Sequence, residues 1–484
     1  MMNTLRFIPH NAHTVQVGER RVLFHIPTTG LFDLDEVGAA VFDLFQERGE
    51  LGEHDIRERF EGRYTPAAVV DAVQDLIDLR IVGPDAKGPI NPVPPKIKDY
   101  PLSTIVLNVN TGCNLGCTYC YKEDLTTPAQ GAKMDFETAR KSVDLLLREG
   151  AARERINIVF FGGEPLTNLP LIKQVVDYAE QRCDELGKSA DFSLTTNATL
   201  LTEDNVDYLN AHRFGISVSI DGPRAMHDRH RLTVGGKGTY DLVSRKTRML
   251  LERYNARPVG ARVTITAGNI DVVSIHQHLI DEIGFFEVGY APVTANSMDL
   301  FNLKGPELKQ FFDNLKTLGQ TYVEAALEGH NTGFSNLHQL LSDLHQGNRK
   351  TLPCGAGVGL LAVDNNGELN LCHRFTGSDL PTYGNVDDGI DKPNLGAFLE
   401  AAADRSGTGC ETCRIRNLCA GGCYHESYAH YTDPLHPTYQ YCDLMRDWVD
   451  FGIQAYRRIL DRNPAFFAQH ITPRSASHET FTVS

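Results

Sequence analysis

Between residues 100 and 330 the chain alternates short apolar runs with amphipathic stretches six times, and a cysteine loop follows the first run. The strand-like runs are STIVLNVN, RINIVFFGG, DFSLTTN, GISVSID, PVGARVTIT and FEVGYAPV. Stretches such as DFETARKSVDLLLREG and PLIKQVVDYAEQRCDELG lie between them, with apolar residues at helical spacing. Six β/α units predict an α/β fold whose parallel, barrel-like sheet is too short to close as eight. Reactive groups of such sheets gather on loops at the strand C-termini. Cys113, Cys117 and Cys120, in TGCNLGCTYCYKED, occupy the first of those loops.

Three thiolates at this spacing can hold three irons of a 4Fe–4S cube and leave the fourth iron open for chemistry. A zinc knuckle is the competing reading, but zinc takes four ligands and no fourth Cys or His is suitably near. The triplet resembles the signature of the radical S-adenosylmethionine (radical SAM) enzymes. That resemblance implies an open iron that chelates SAM through its amino and carboxylate groups and cleaves it to a 5′-deoxyadenosyl radical.

Gly162-Gly163-Glu164-Pro165 ends the second strand, where glycines allow close backbone approach and a carboxylate can accept from an ammonium group. By resemblance, Gly162, Gly163 and Glu164 hold the SAM amino group, and Tyr119 packs near the adenine. Asn197, Ser219 and Asp221, at the ends of the third and fourth strands, are expected to line the same pocket, with Arg231 toward the methionine carboxylate. Each alone could equally be a strand-end cap or turn residue. The sequence nominates no catalytic base.

Eleven cysteines would suggest disulfides in a secreted protein. Here they cluster at metal-ligand spacings, and the N-terminus MMNTLRFIPHNAHTVQVGE has no charged-then-apolar signal pattern. A reducing cytoplasmic compartment is therefore expected. Cys354, Gly367-x4-Cys372, Cys410-x2-Cys413-x5-Cys419-x3-Cys423 and Cys442 resemble the seven-cysteine SPASM domain of radical SAM peptide maturases. The resemblance implies two auxiliary 4Fe–4S clusters, three clusters in all. Cys410, Cys413, Cys419 and Cys442 would close the second auxiliary cluster, and Cys354, Cys372 and Cys423 would hold the first. Some relatives place a further cysteine between the counterparts of Cys354 and Cys372, and none lies there in this chain. A vacant iron, or a ligand other than cysteine, is expected at that site. A vacant iron could bind and deprotonate a substrate thiol. Cys183, on a helical stretch, is left as a structural thiol.

Residues 1–86 read as a separate winged-helix-like unit. HTVQVGE, RRVLFHI and GLFDLD look like strands, with a Thr28-Thr29-Gly30 turn, and EVGAAVFDLFQER, GEHDIRERFE and TPAAVVDAVQDLIDLR look like helices. Thr65 is placed to cap the last of these, with Pro66 at its first position. Residues 1–95 hold nine Lys/Arg against fifteen Asp/Glu, and the whole chain carries a formal charge of −15, which disfavours nucleic acid. No segment has the length and apolarity of a membrane span. The unit resembles the precursor-peptide-binding domains typified by the peptide chaperone of pyrroloquinoline quinone biosynthesis, which capture a leader as an added strand. Residues 87–99 form a Pro/Gly linker, 100–330 the barrel, 331–350 a connection, 351–450 the SPASM region and 451–484 a C-terminal tail, whose end RNPAFFAQHITPRSASHETFTVS turns polar and is expected to be loosely ordered.

TGCNLGCTYCYKEDLTTPA, FFGGEPL and DFSLTTNATLL look most similar to the family that matures quinohaemoprotein amine dehydrogenase. That similarity implies thioether formation between Cys sulfurs and Asp/Glu methylenes of the dehydrogenase's small Cys-rich subunit, a ribosomally made substrate. An electron donor such as flavodoxin or ferredoxin would be a second partner. A sulfatase-type maturase that makes formylglycine is the alternative enzyme, and a non-catalytic iron–sulfur scaffold the alternative of another class.

Overall fold

A computed structural model describes residues 4–84, 102–120, 131–294 and 300–471. The chain opens with β1 (Leu5–Phe7), β2 (Ala12–Val17), β3 (Arg20–His25) and β4 (Gly30–Leu34). β2, β3 and β4 form an antiparallel sheet in that order. Helices α1 (Glu36–Arg48), α2 (Glu53–Phe60) and α3 (Pro66–Asp78) follow. Asp35 caps α1 by accepting from the Gly38 N–H at 2.6 Å, and Thr65 caps α3 through the Ala68 N–H at 3.3 Å. Pro66 opens α3, where its missing N–H costs nothing. β1 is flanked by β5 (Glu50–Leu51) and β6 (Val82–Gly83) in a second small sheet. Phe42, Phe45, Phe60, Val73 and Leu76 give this unit its own core. The Pro/Gly run 87–99 lies outside the described residues.

β7 (Thr104–Asn110), β8 (Arg155–Gly162), β9 (Ser189–Thr196), β10 (Gly215–Ser219), β11 (Val259–Ile265) and β12 (Glu287–Pro292) are the six expected strands. They lie side by side in chain order, all parallel. β7 is buried at every residue, as a strand covered on both faces must be. Its outward Ile105, Leu107 and Val109 join the main core, while Asn108 and Asn110 carry polar groups on the alternate face.

Two features beyond residue 350 depart from expectation. β13 (Leu360–Val363) pairs in parallel with β7, and β14 (Leu369–Asn370) adds antiparallel to it, so the barrel sheet continues into the cysteine-rich region. The end expected to be loosely ordered carries a helix, Ala465–His470, and the C-terminal tail begins inside a longer one, Cys442–Arg462. Its apolar stripe of Trp448, Val449, Ile453, Tyr456 and Ile459 is buried, as are Phe466 and Phe467. The charges that make it look polar lie at its flank, where Arg457 pairs with Asp33 and Arg458 with Glu324. Residues 472–484 lie outside the described residues. The 331–350 connection contains a helix, Ser335–His345, packed against Cys442–Arg462. No helix of the described residues is long and apolar enough to cross a membrane.

Candidate active site and metal centres

The Cys113–Cys120 loop leaves the C-terminal end of β7 and is stitched to its neighbours on two sides. On one side the Gly163 N–H donates to the Asn110 carbonyl at 2.8 Å, and the Glu164 N–H to the Gly112 carbonyl at 3.2 Å. Gly162 has φ +148°, and a β-carbon there would stand 2.3 Å from the Asn110 carbonyl oxygen. At Gly163 a β-carbon would stand 2.2 Å from the Gly112 carbonyl oxygen. Only glycine lets the two backbones meet so closely. On the other side the Gly116 N–H donates to the Leu232 carbonyl at 2.9 Å and the Thr118 N–H to the His230 carbonyl at 3.0 Å.

Glu164 is 1% exposed, and its carboxylate accepts from the Asn197 N–H at 2.7 Å, the Thr196 hydroxyl at 2.8 Å and the Leu166 N–H at 3.0 Å. Burial pushes its carboxyl up to about 7 against those three donors. Asn197 is similarly engaged: its Nδ2 donates to Asn114 Oδ1 at 2.9 Å and toward Cys113 Sγ at 3.7 Å, and its Oδ1 accepts from Thr199. Asp221, 1% exposed, accepts from the Tyr119 hydroxyl at 2.6 Å and the Thr264 N–H at 3.1 Å. It also pairs with Arg231 Nε at 2.9 Å. The Arg231 guanidinium lies over the Tyr119 ring, 5.5 Å from its centroid. Ser219, the last residue of β10, is half-buried.

Gly162, Gly163, Glu164, Asn197, Tyr119, Asp221 and Arg231 thus gather around the first loop, and Ser219 lies at the end of β10. Glu164, Asn197 and Asp221 also bond to the protein itself and so brace the site. Sequence reasoning missed Asn110, Asn114, Thr196, His227 and His230. His227 Nδ1 accepts from the Asp221 N–H at 3.4 Å and its Nε2 meets Thr239 Oγ1 at 3.0 Å, so it sets the turn that carries Arg231. The four-residue interval from His227 to Arg231 was the available signal.

The thiols fit iron–sulfur cubes. Burial pushes Cys113 up to about 12, with Glu164, Cys117 and Cys120 adding to it, and Cys117 up to about 11. The Arg231 charge pulls Cys117 back partway. Metal coordination removes such protons outright. Cys410, Cys413, Cys419 and Cys442 line one cavity, together with Ile415 and Met445. Cys354, Cys372 and Cys423 form a third group: burial raises Cys372 to about 12, with Cys354 and Cys423 adding to it, while Cys354 and Cys423 are exposed. Among the described residues no three His, Cys, Asp or Glu side chains stand close enough to hold a single metal ion. Cys183 is fully buried in the helix Leu169–Leu186, apart from all three groups.

Residues 107–273 match the model of the Radical SAM superfamily. The chain is similar to the cysteine-type anaerobic sulfatase-maturating enzyme of Clostridium perfringens, 24% identical over 370 residues, which span 73% of this chain and 96% of that one. Among solved structures, native anSMEcpe with bound AdoMet superposes with a TM-score of 0.61 at 20% identity, covering 77% of this chain and all of that one. Streptococcus suis SuiB bound to precursor peptide SuiA has a TM-score of 0.50 at 15% identity, covering 90% and 99%. At these identities the two structures establish the fold.

Proposed function

We propose that the protein is a radical SAM peptide maturase, since residues 107–273 match the radical SAM model and the chain is similar to a sulfatase-maturating enzyme. Its reaction joins substrate Cys sulfurs to Asp or Glu methylene carbons in the small subunit of quinohaemoprotein amine dehydrogenase. The observation that carries the thioether reading is the third thiol group. Cys354, Cys372 and Cys423 converge with no fourth cysteine, because Cys183 is the only one left and it is buried elsewhere. A three-thiol site leaves room for a sulfur brought by the substrate.

In this reading Cys113, Cys117 and Cys120 hold the cluster that meets SAM, and the other seven cysteines hold two auxiliary clusters. When bound, SAM and the clusters would supply the one-electron chemistry, SAM a hydrogen-atom acceptor for the methylene and the clusters an acceptor for the electron released on carbon–sulfur closure, with the thiol proton lost to solvent. The chain's own residues position and exclude. Glu164 and Asn197 fix the cysteine loop from the β8 and β9 ends. Asp221 holds Arg231 and Tyr119, which present a cation and an aromatic face for the SAM carboxylate and adenine. Ser219 offers a hydroxyl at the same strand ends. β4 offers an open edge on which a leader can add as a strand. SuiB, with its bound precursor peptide, shares the fold over most of the chain.

The similarity to a sulfatase-maturating enzyme supports formylglycine formation as the second reading. Anaerobic incubation of the reconstituted protein with SAM, a reductant and the small-subunit precursor, followed by mass spectrometry, separates the two. Thioether formation is expected to remove two hydrogens per bond and protect that cysteine from alkylation. A hydrazide-reactive aldehyde in place of the cysteine would favour the second reading.

A further inference from the structure

Despite the proline-rich run that joins them, the N-terminal sheet is built into the wall of the cysteine-rich region. Arg416 and Asn417 lie between Cys413 and Cys419, and both are 1% exposed. Arg416 Nη1 donates to the His10 carbonyl at 2.7 Å and to the Cys413 carbonyl at 3.3 Å. Asn417 Nδ2 donates to the Ile26 carbonyl at 2.8 Å and the Pro27 carbonyl at 3.3 Å. These acceptors flank the start of β2 and the end of β3.

The same two residues reach the approach to Cys354. The Asn417 carbonyl accepts from the Lys350 N–H at 2.7 Å, and the Arg416 carbonyl from Arg405 Nη1 at 2.9 Å. Arg405 also donates to the Thr351 carbonyl, and the Thr29 hydroxyl to the Asn348 carbonyl at 3.4 Å. Placing a guanidinium and a carboxamide in this buried seam is costly unless each is hydrogen-bonded. A simple packing contact would be met by Leu or Met. The polar pair instead specifies one relative placement of the sheet and both ligand-bearing segments.

We propose that Arg416 and Asn417 are positioning residues that couple peptide capture on the N-terminal sheet to the auxiliary cysteines. The inference rests on the maturase reading above. A strand added to β4 constrains β3, Asn417 grips the Ile26 and Pro27 carbonyls just beyond it, and the Cys413–Cys419 loop shifts with that grip. Placement and hydrogen bonding of ligand sulfurs tune a cluster's potential. Coupling of this kind is reciprocal: if peptide changes the potential, oxidation state changes peptide affinity by the same factor.

The test uses the full-length, reconstituted protein and a fluorescein-labelled synthetic peptide of the precursor's N-terminal leader, with anaerobic anisotropy in oxidised and dithionite-reduced samples. Wild-type dissociation constants are expected to differ about fivefold or more between the two states, the low end of ordinary couplings. Asn417→Leu, which strands the Ile26 and Pro27 carbonyls, is expected to bring that ratio near one. Iron content is measured alongside. If Asn417→Leu loses iron, Arg416→Lys serves instead, keeping the charge with fewer donors, and is expected to reduce the ratio. Equal affinities in a wild-type protein that still modifies its precursor would overturn the coupling alone. So would a wild-type ratio in an iron-replete variant. Absence of any peptide product would count against the maturase reading instead.

Discussion

Tyr119 donates its hydroxyl to Asp221 across 2.6 Å, and Arg231 pairs with the same carboxylate oxygen at 2.9 Å. One buried carboxylate therefore fixes an aromatic and a cation that were expected, with Asp221 itself, to line the cofactor pocket. Removing one partner of a buried pair leaves the other charge uncompensated, at a cost of about 3–5 kcal/mol. Asp221→Asn is expected to lose about that much stability in urea unfolding of the cluster-free protein, and to weaken SAM binding as Arg231 and Tyr119 loosen. An unchanged midpoint would show that Asp221 is not the brace described.

Gly163 meets the Gly112 carbonyl, and neither backbone can retreat. Gly163→Ala is expected to prevent the cysteine loop from seating, seen as loss of one cube's worth of iron with the auxiliary signals retained. Gly396 is the control. It lies inside the helix Lys392–Ala403 with nothing within 4 Å of an added β-carbon, so Gly396→Ala is expected to stabilise by about 0.5–1 kcal/mol.

Burial lowers the His227 imidazole from 6.5 to about 4. Its Nδ1 already accepts from the Asp221 N–H, so a second proton has nowhere to go. Between pH 6.5 and 4 the unfolded chain therefore binds more protons at this site than the folded one, and stability falls as pH drops through that window. The expected loss from this residue is roughly 3 kcal/mol. His25, His230, His276 and His338 are lowered by burial as well and act in the same direction. Urea midpoints across this range, compared with His227→Leu, should show a flatter slope in the variant. An identical slope would remove His227 from the explanation.

Cys354→Ala removes one of the three thiols on which the thioether reading depends. Deoxyadenosine is expected to form still, uncoupled from crosslinking, in paired chromatographic and mass-spectrometric assays. Undiminished crosslinking would exclude the first auxiliary site from the carbon–sulfur step.

The six barrel strands were legible because each is a short apolar run with a charged, helix-spaced stretch after it, and the Thr65 cap and Pro66 were legible from local chemistry alone. β1, β13 and β14 were not. LRF, LLAV and LN are too short to show a period, and each is a strand only because a distant partner supplies its hydrogen bonds. The helix Cys442–Arg462 carries charges whose partners are distant in sequence, Arg457 with Asp33 and Arg458 with Glu324, beyond any local window. Around the cysteine loop, residue identity announced which groups gather. It did not announce that Glu164 and Asn197 would be occupied by their own neighbours, since that depends on the register between β8 and β9.

The most direct test is the production of 5′-deoxyadenosine by anaerobic, iron-replete protein given SAM and dithionite, read by chromatography. The wild-type chain is expected to form it, and single Cys113→Ala, Cys117→Ala or Cys120→Ala variants to form none while keeping the iron of the other two cysteine groups. Failure of the iron-replete wild type, or unchanged formation in those variants, would contradict the account.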